Sequence, residues 1–417
     1  MSRCVVVGSG AREHALAWAL AKSVDVIVTP GSDGMAAQGL TCVSTPASEL
    51  DADLFVIGPE QPLVDGLADT LRDQGKIVVG PSRAGAQLEG SKAFMKDFLT
   101  TANVPTADFG VFRDTAPAFA FLDTLRPPYV IKTDGLASGK GVLVTEDVEL
   151  ARRDVAAKLS GEAFGEAGRT LVIEEALEGS ECSLLVLCDG RDLVALVPAQ
   201  DFKRVGEGER GANTGGMGAF APLVLGDDEM ATIMKEVLEP TLEELRRRDI
   251  DYRGVLYAGV MRTPHGAKLL EYNVRFGDPE TQVLAPLYGD QLYAMLYGVG
   301  VGGLRDVVAK PVGAAVTVVL AAAGYPHDPR RGDVIHGLGD DGQLVYAREG
   351  VVIFHAGSAR DADGTWRTNG GRVLAVTAVA PTVAQARTRA YEAVALVSFE
   401  GCVWRRDIAS STLETAR

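Results

Sequence analysis

The chain has 417 residues, of which 47% are hydrophobic, enough for roughly three or four packed domains. Its net charge of −15 argues against a surface that coats nucleic acid, so an anionic ligand must be held by local Lys, Arg and backbone N–H groups. No apolar run approaches the roughly 20 residues that span a bilayer, and five scattered cysteines without a CxxC indicate neither disulfides nor zinc, so we expect a soluble protein of a reducing cytoplasm.

Strands and helices alternate over residues 1–100, which predicts an open parallel α/β sheet lobe whose ligands lie beyond the carboxyl ends of the strands. The predicted strands are Cys4–Val7, Asp25–Thr29, Leu54–Ile57 and Lys76–Val79. The predicted helices are Glu13–Ala21, Val64–Gln74 and Arg83–Leu99, the last of which leads out of the lobe.

The first turn, Gly8–Glu13, begins like a dinucleotide fingerprint but has Glu13 in place of the final Gly or Ala. The second strand ends in Thr29-Pro30-Gly31 instead of an acid that would hold a ribose, which argues against a nicotinamide-dependent oxidoreductase. Free N–H groups at the helix start, with Arg12 beside them, still suit an anion. Two loops on the same sheet edge favour a phosphorylated small molecule over a purely structural turn; they are Gly31–Gly34 and Gly58–Pro62.

Residues 101–312 form the predicted central region, with a smaller lid lobe at about 115–180, and residues 313–417 form a small β-rich domain with little obvious chemistry. The central elements are a hairpin of Tyr129–Lys132 and Val142–Thr145, helices Val148–Leu159 and Asp227–Arg248, and strands Leu171–Glu174, Cys182–Cys188, Gly254–Met261 and Lys268–Arg275. The segment Gln200–Pro222 is too rich in glycine for a core element. The last domain holds strands Ala315–Ala321, Val351–His355 and Arg372–Val379 and helix Thr382–Val397.

The loop from Lys132 to Gly141 carries three glycines and two lysines between two strands. Its N–H groups and lysines can close over a polyphosphate, and we expect it to act as a lid. It is no Walker A loop, because Gly141 stands where Ser or Thr would follow Lys140. A plain flexible hairpin is the alternative.

Two further segments, which follow the glycine loop along the chain, supply the other parts of a nucleotide site. Backbone exposed after the apolar strand of Leu171–Glu181 can bond an adenine edge, with Glu181 accepting from ribose hydroxyls; alone, this segment is also consistent with an ordinary acidic loop. Farther on, Glu271, Asn273 and Arg275 alternate with Tyr272, Val274 and Phe276, so a strand would aim a carboxylate, a carboxamide and a guanidinium at one side. Oxygen ligands of this kind suit a hard divalent cation, and Arg275 suits a carboxylate or phosphate.

With these residues the chain resembles the phosphoribosylamine–glycine ligases (glycinamide ribonucleotide synthetases), which are ATP-grasp enzymes. The resemblance covers nearly the whole chain and rests on the blocks GSGAREHALAWAL, GPEQPLVDGLAD, GSKAFMKDF, VIKTDGLASGKGV, QDFKRVGEGERGANTGGMGAFAP and LLEYNVRFGDPETQ. It implies ATP as co-substrate with Mg²⁺ or Mn²⁺. The implied nucleotide contacts are Lys96 and Lys132 on the phosphates, Gly135, Ser138, Gly139, Lys140 and Gly141 in the glycine loop, Glu174, Glu175, Ala176 and Leu177 at the adenine, and Glu181 at the ribose, with Glu271 and Asn273 on the metal.

The resemblance also implies the reaction. ATP would phosphorylate glycine to an acyl phosphate, and 5-phosphoribosylamine would displace the phosphate, giving glycinamide ribonucleotide in the second step of de novo purine biosynthesis. The ribose phosphate would bind at Gly10, Arg12, Glu13 and Glu60, and glycine near Asp201, Asn213, Thr214, Gly215, Gly216 and Arg275. Lys132, Asp201 and Arg275 would serve the chemistry. Partners would be these small molecules, with transient contact to neighbouring enzymes of the pathway.

One departure from the wider ATP-grasp superfamily concerns a second metal ligand. Many members have a further acid on the strand before the Glu-x-Asn pair, whereas residues 255–261 hold none. Two other hypotheses stay open: a carboxylate–amine ligase for a different ribonucleotide, and a regulatory module that binds nucleotide without catalysis. Retention of both lysines and of the Glu271/Asn273 pair counts against the second.

Overall fold

The computed structural model describes residues 2–136, 141–163, 165–226 and 228–410. Its first five strands form a wholly parallel sheet in the order β3-β2-β1-β4-β5, as predicted for the N-terminal lobe. These strands are β1 (Arg3–Gly8), β2 (Asp25–Pro30), β3 (Thr41–Cys42), β4 (Leu54–Ile57) and β5 (Val78–Val79). The helices of the lobe are α1 (Ala11–Leu20), α2 (Asp33–Ala37), α3 (Glu60–Val64) and α4 (Leu67–Asp73).

Several predicted boundaries in this lobe are wrong for local reasons. The predicted helix Val64–Gln74 is divided into α3 and α4 because Gly66 has a left-handed φ of 88°. The predicted helix Arg83–Leu99 is divided into α5 (Arg83–Gly90) and α6 (Lys92–Ala102), since Ser91 is extended and its hydroxyl accepts from the N–H of Phe94. The loops predicted at Gly31–Gly34 and Gly58–Pro62 already contain the starts of α2 and α3.

The lid lobe is an antiparallel sheet in the order β6-β9-β7-β8, covered by two helices. It comprises β6 (Phe109–Phe112), α7 (Thr115–Leu122), β7 (Tyr129–Thr133), β8 (Val142–Thr145), α8 (Val148–Leu159) and β9 (Leu171–Glu175). Leu122, Ile131, Val155 and Ile173 belong to its own hydrophobic core. The predicted hairpin of β7 and β8 is confirmed, with Lys132 opposite Val142.

The rest of the central region builds a second antiparallel sheet in the order β11-β10-β16-β17. In chain order the strands are β10 (Ser180–Cys188), β11 (Leu193–Ala195), β12 (Gln200–Asp201), β13 (Arg204–Gly206), β14 (Arg210–Asn213), β15 (Gly218–Ala221), β16 (Gly254–Thr263) and β17 (Gly266–Asn273). The helices are α9 (Glu229–Ile233), α10 (Glu239–Arg247), α11 (Glu280–Tyr288) and α12 (Leu292–Val301), with a π-helical turn between α9 and α10 at Met234–Leu238.

The prediction that Gln200–Pro222 contains no core element is wrong. It holds four short strands, and β15 is fully buried and pairs with β18 of the last domain. Glycine allows close packing here, because a Cβ on Gly218 would lie 2.6 Å from the carbonyl oxygen of Thr317. Composition alone suggested flexibility, whereas the long-range pairing requires small residues.

The C-terminal sheet runs in the order β12-β15-β18-β22-β19, so it takes two strands from within the predicted central region. Its own elements are β18 (Ala314–Ala321), β19 (Val351–His355), β20 (Ser358–Arg360), β21 (Trp366–Thr368), β22 (Arg372–Ala380) and α13 (Val383–Val394). None of the described helices is both long and apolar enough to cross a membrane.

Candidate active site

A cavity of about 700 Å³ lies where the N-terminal lobe, the lid lobe, the second sheet and the C-terminal domain meet. Most of the predicted site residues line it, namely Arg12, Glu60, Lys132, Gly141, Glu174, Glu175, Ala176, Leu177, Glu181, Asp201, Asn213, Thr214, Gly215, Glu271, Asn273 and Arg275. Glu13, Lys96, Gly135 and Gly216 lie behind this lining in contact with residues that form it, and Gly10 bonds Glu13. Ser138, Gly139 and Lys140 lie outside the described residues.

Strand β17 brings the predicted metal ligands to the cavity, although it ends at Asn273, two residues earlier than predicted. The side chains of Tyr272 and Val274 pack into the hydrophobic core, as the alternation indicated. A β-bulge lies between the Gly259–Glu271 and Val260–Leu269 pairs, so Leu270 and Glu271 both line the cavity. Sequence alternation did not reveal this bulge.

The donors at this strand fit a hard cation. Burial acts to raise the pKa of Glu271, but Lys203, Lys132 and Lys92 hold it below its ordinary value, so the carboxylate is ionised. The carboxamide of Asn273 supplies a second oxygen. Among the residues that the structure describes, no group of three or more His, Cys, Asp or Glu side chains could hold a metal by itself. A cation with two protein ligands that completes its shell with phosphate oxygens and water therefore fits, as is usual for Mg²⁺.

Two lysines converge on Glu174 at the lid side of the cavity. The Nζ atoms of Lys96 and Lys132 lie 3.1 and 2.9 Å from the two carboxylate oxygens. Lys96 is fully buried and also donates to Thr106, and burial lowers its pKa to about 8. Lys132 lines the cavity and donates to the carbonyl of Leu270. The carboxylate of Glu174, expected near an adenine, thus acts as the counterion of both lysines.

The base of the glycine-rich loop is fastened on both sides. Asp134 accepts from the hydroxyl of Ser91 (3.0 Å) and from the N–H of Ala93 (3.2 Å) at the start of α6. Lys92 donates to the carbonyl of Gly135, which has a left-handed φ of 86°. At the other end, the carbonyl of Gly141 accepts from Thr133. The loop therefore leaves and returns at fixed points beside the two lysines of the phosphate end.

The segment after β9 lines the cavity at Ala176 and Leu177. The preceding carboxylate, Glu175, is engaged by Lys268 (2.9 Å) and by the N–H of Asp108 (3.1 Å). Glu181 accepts from Lys203 at 2.8 Å, and the same Nζ lies 4.0 Å from Glu271. Lys203 therefore links the predicted ribose and metal positions.

Asp201 lies in an acidic corner with Glu280. The Ser183 hydroxyl lies within hydrogen-bond distance of both carboxylates, at 3.4 Å from Asp201 and 3.1 Å from Glu280, and Tyr257 donates to Glu280 at 2.6 Å. Burial raises the pKa of Asp201 to about 8, against the effect of Lys203, with Glu280 adding to the rise. Lys203 offsets part of the negative charge of this corner, and the two carboxylates still suit a cationic ligand.

This shift predicts a stability effect. Between pH 4 and 8 the unfolded chain has lost the Asp201 proton while the folded protein retains it, so this group lowers stability increasingly as pH rises toward 8. We expect Asp201→Asn to raise Tm by a few degrees at pH 8 and by less at pH 5. Thermal unfolding across this pH range measures the difference, with the exposed Asp306→Asn as control. A gain that is equal at both pH values would contradict the assignment.

The N-terminal lobe contributes a chain of alternating charges. Arg12 donates to Glu13 and lies 3.8 Å from Glu60, which in turn lies 3.2 Å from Nε of Arg275. Arg275 also pairs with Glu89 at 2.7 Å. Its guanidinium donates to the side-chain oxygen of Asn273 as well.

Glu13 explains why the first turn departs from the dinucleotide fingerprint. Its carboxylate accepts from the N–H of Gly10 at 2.8 Å, so this donor of the helix start is already bonded within the chain. A Cβ on Gly8 or Gly58 would lie 2.4 or 2.2 Å from Glu13, so both glycines make room for it. The anion-binding role predicted for this turn therefore depends mainly on Arg12.

Segment 213–216 packs against the C-terminal domain. Thr214 bonds the carbonyl of Lys203 through both its N–H and its hydroxyl. Gly216 has a φ of 108°, and a Cβ there would lie 2.4 Å from the ring of Pro279. These residues thus form a tightly fixed turn that borders the cavity.

Sequence reasoning missed several charged residues of the cavity. The missed charged residues that line it are Glu89, Lys92, Lys203, Arg204, Asp278, Glu280 and Arg372. Lys203 and Glu280 had a local signal, since they lie within the quoted blocks beside predicted residues. Arg372 had none, because only the packing of the C-terminal sheet brings it to the site.

Comparison with known protein families decides the relationship. The phosphoribosylglycinamide synthetase N domain matches residues 2–89, the ATP-grasp (A) domain of the same synthetase matches residues 90–281, and its C domain matches residues 315–411. The chain belongs to the phosphoribosylglycinamide synthetase family. The predicted multidomain α/β and α+β architecture agrees with this membership.

Relatives of the family are similar over almost their whole length. Enzymes named phosphoribosylamine–glycine ligase share 43% identity in a Nostoc species (97% of this chain, 98% of the relative) and 44% in Caulobacter vibrioides (98% of each). The crystal structure of the Thermotoga maritima phosphoribosylamine–glycine ligase has a TM-score of 0.87 at 36% identity, covering 98% of this chain and 100% of that one. The biotin carboxylase domain of a Hydrogenobacter thermophilus 2-oxoglutarate carboxylase, solved with MgADP, has a TM-score of 0.71 at 17% identity, covering 97% of this chain and 91% of that one. This similarity shows a shared fold alone.

Proposed function

We propose that this enzyme joins glycine to 5-phosphoribosylamine with ATP, giving glycinamide ribonucleotide, ADP and phosphate. Membership of the synthetase family, with similar ligases over the full length, supports the activity. The observation that carries the site assignment is that one cavity is lined by Lys132, Glu271 and Asn273 and also by Arg12, Glu60 and Arg275.

In the first step a carboxylate oxygen of glycine attacks the γ-phosphorus of ATP, and ADP leaves. Lys132, with Lys96 behind it, lies where it can offset charge on the phosphates. Glu271 and Asn273 would hold Mg²⁺ or Mn²⁺, which supplies further neutralisation of phosphate charge when bound. The glycine loop, including Gly135 and Gly141, would cover the phosphates and exclude water.

In the second step the amine of phosphoribosylamine attacks the carbonyl carbon of glycyl phosphate, and the acyl–oxygen bond to phosphate breaks. The departing phosphate can take the proton that the amine gives up. Asp201 would hold the glycine ammonium, beside the turn of Asn213 to Gly216, and Arg275 would hold a carboxylate or the transferred phosphoryl group. Because neither step needs a protein nucleophile, the enzyme works by positioning and charge.

The remaining assignments concern the adenine and ribose of ATP and the ligand that each domain binds. Ala176 and Leu177, after Glu174 and Glu175, are assigned to the adenine, and Glu181, bonded to Lys203, to the ribose. The N-terminal lobe at 1–100 takes the phosphoribosyl substrate through Gly10, Arg12, Glu13 and Glu60, the 101–312 region takes ATP, and the 313–417 domain completes the cavity. A cytoplasmic location and transient contact with neighbouring purine-pathway enzymes belong to the same proposal.

Product analysis tests the function. The protein is incubated with ATP, glycine and freshly generated phosphoribosylamine, and glycinamide ribonucleotide and ADP are measured together. We expect one ADP for each ribonucleotide and no product when either glycine or the amine is omitted. Product with another carboxylate instead of glycine would favour a different ligase, and binding of ATP without turnover would favour the regulatory module.

Arg12→Ala tests the assignment of the N-terminal lobe. Because hydrogen bonds to charged groups contribute about 1.5–3 kcal/mol, we expect KM for phosphoribosylamine to rise about 10- to 100-fold while KM for ATP stays near wild type. Steady-state kinetics measure both constants. Arg83→Ala is the control, since Arg83 is an exposed arginine of the same lobe outside the cavity lining. An effect on ATP alone would mean that the lobes are assigned the wrong way round.

A further inference from the structure

The C-terminal domain was expected to carry little chemistry, but its residue Arg372 lines the cavity. Arg372 is the first residue of β22, and its side chain is 21% exposed. It lines the cavity together with Thr214, Gly215 and Asp278. A guanidinium at this point touches two segments that are far apart in sequence.

The first segment is the turn at Gly215, whose peptide is held on both sides. Its N–H donates to the hydroxyl of Tyr325 at 3.1 Å, and its carbonyl accepts from Nη1 of Arg372 at 2.5 Å. A Cβ on Gly215 would lie 2.9 Å from Cζ of Arg372, so the absence of a side chain gives the guanidinium its place. Both polar groups of this peptide are thus bonded to the C-terminal domain.

The second segment is the turn at Asp278, just after Arg275. Arg372 donates to its carbonyl at 2.9 Å through Nη1, and Nη2 lies 3.1 Å from its carboxylate. The same carboxylate lies 4.0 Å from the position a Cβ on Gly10 would take. Arg372 therefore ties the 213–216 turn to the 278 turn, and the 278 turn faces the N-terminal lobe.

We propose that Arg372 is a positioning residue, which fixes the 213–216 turn against Asp278 so that glycine and the attacking amine meet in the correct geometry. This role rests on the proposed function. The planar fork of arginine suits it, because one guanidinium reaches two carbonyls and a carboxylate at once. Nucleotide contacts lie elsewhere in the cavity, so ATP binding does not depend on Arg372.

Arg372→Met tests the proposal, with Arg330→Met as a matched control. Arg330 belongs to the same domain but does not line the cavity. It also joins one carboxylate to one backbone carbonyl: it lies 2.8 Å from Asp333 and donates to the carbonyl of Glu400 at 2.9 Å. We expect kcat with saturating ATP to fall about 100-fold in Arg372→Met only, the size of loss that follows small misplacement of reacting groups. KM for glycine should rise about tenfold and KM for ATP stay within about twofold.

Hydrogen exchange gives a readout that is independent of activity. In Arg372→Met the carbonyl of Gly215 loses its charged donor, so the turn should loosen. We expect hydrogen exchange of the Gly215 amide to become about 10- to 100-fold faster in this variant and to stay unchanged in Arg330→Met. Accelerated exchange together with the kinetic split supports the proposal. Unchanged exchange, or kinetics equal to those of Arg330→Met, would overturn it, as would a parallel loss of ATP affinity and Tm. Failure of the wild-type enzyme to form glycinamide ribonucleotide would instead overturn the proposed function, and exchange at Gly215 would still report whether Arg372 holds the turn.

Discussion

Glu271→Gln is expected to lower kcat by about 1000-fold at ordinary Mg²⁺ concentrations while the fold is kept. Glu271 lines the cavity from β17, whereas the side chain of the neighbouring Tyr272 packs into the core, so the substitution alters the site and spares the core. The amide has nearly the same shape but loses the charge that a divalent cation needs, which costs several kcal/mol. ADP release measured against Mg²⁺ concentration gives the loss, and thermal unfolding shows that the fold is kept.

Glu229→Gln is the control for this variant. Glu229 likewise belongs to an ion pair, with Arg262 of β16, but neither residue lines the cavity. Asn273→Ala should raise the Mg²⁺ requirement in the same direction as Glu271→Gln. Turnover of Glu271→Gln at the wild-type rate with ordinary Mg²⁺ would remove this strand from the metal site.

Lys132→Met should lower kcat by about 100- to 1000-fold, because one preorganised positive charge at the transferred phosphoryl group is lost. The fold should survive, since the buried carboxylate of Glu174 keeps Lys96 as a partner at 3.1 Å. Steady-state kinetics with varied ATP measure the loss, and circular dichroism checks the fold.

Lys268→Met provides a closely matched control for Lys132→Met. Lys268 pairs at 2.9 Å with Glu175, the residue after Glu174, but it does not line the cavity. It should turn over within about threefold of wild type, since exposed ion pairs contribute little. Equal losses in the two variants would mean that Lys132 supports the lid sheet and does not act on the phosphates.

The local patterns of the sequence predicted the strands of the N-terminal lobe and which residues of β17 pack into the core. In both cases the signal lay in the segment itself: strand–helix alternation in the lobe, and the apolar residues Tyr272 and Val274 between polar ones in the strand. Such short-range periodicity reports burial directly. The resemblance to the family, and not these patterns, implied cavity residues such as Glu60 and Asp201.

Features that depend on distant partners were not predictable. The burial of β15 follows from pairing with β18, about a hundred residues later, and the bulge at Leu270 follows from its register with β16. The carboxylate of Glu174 is occupied by Lys96 and Lys132, which come from α6 and β7. None of these contacts leaves a mark in the local sequence, because a single chain shows spacing but not which segments meet.

Transfer of an oxygen atom from glycine to phosphate tests the central claim most directly. Glycine labelled with ¹⁸O in its carboxylate is converted with ATP and phosphoribosylamine, and the inorganic phosphate released is analysed by mass. If ATP activates the glycine carboxylate in this cavity, each phosphate carries one oxygen from glycine, and glycinamide ribonucleotide forms in equal amount. Phosphate free of the label would contradict the acyl phosphate route and the placement of glycine between Asp201 and the transferred phosphoryl group.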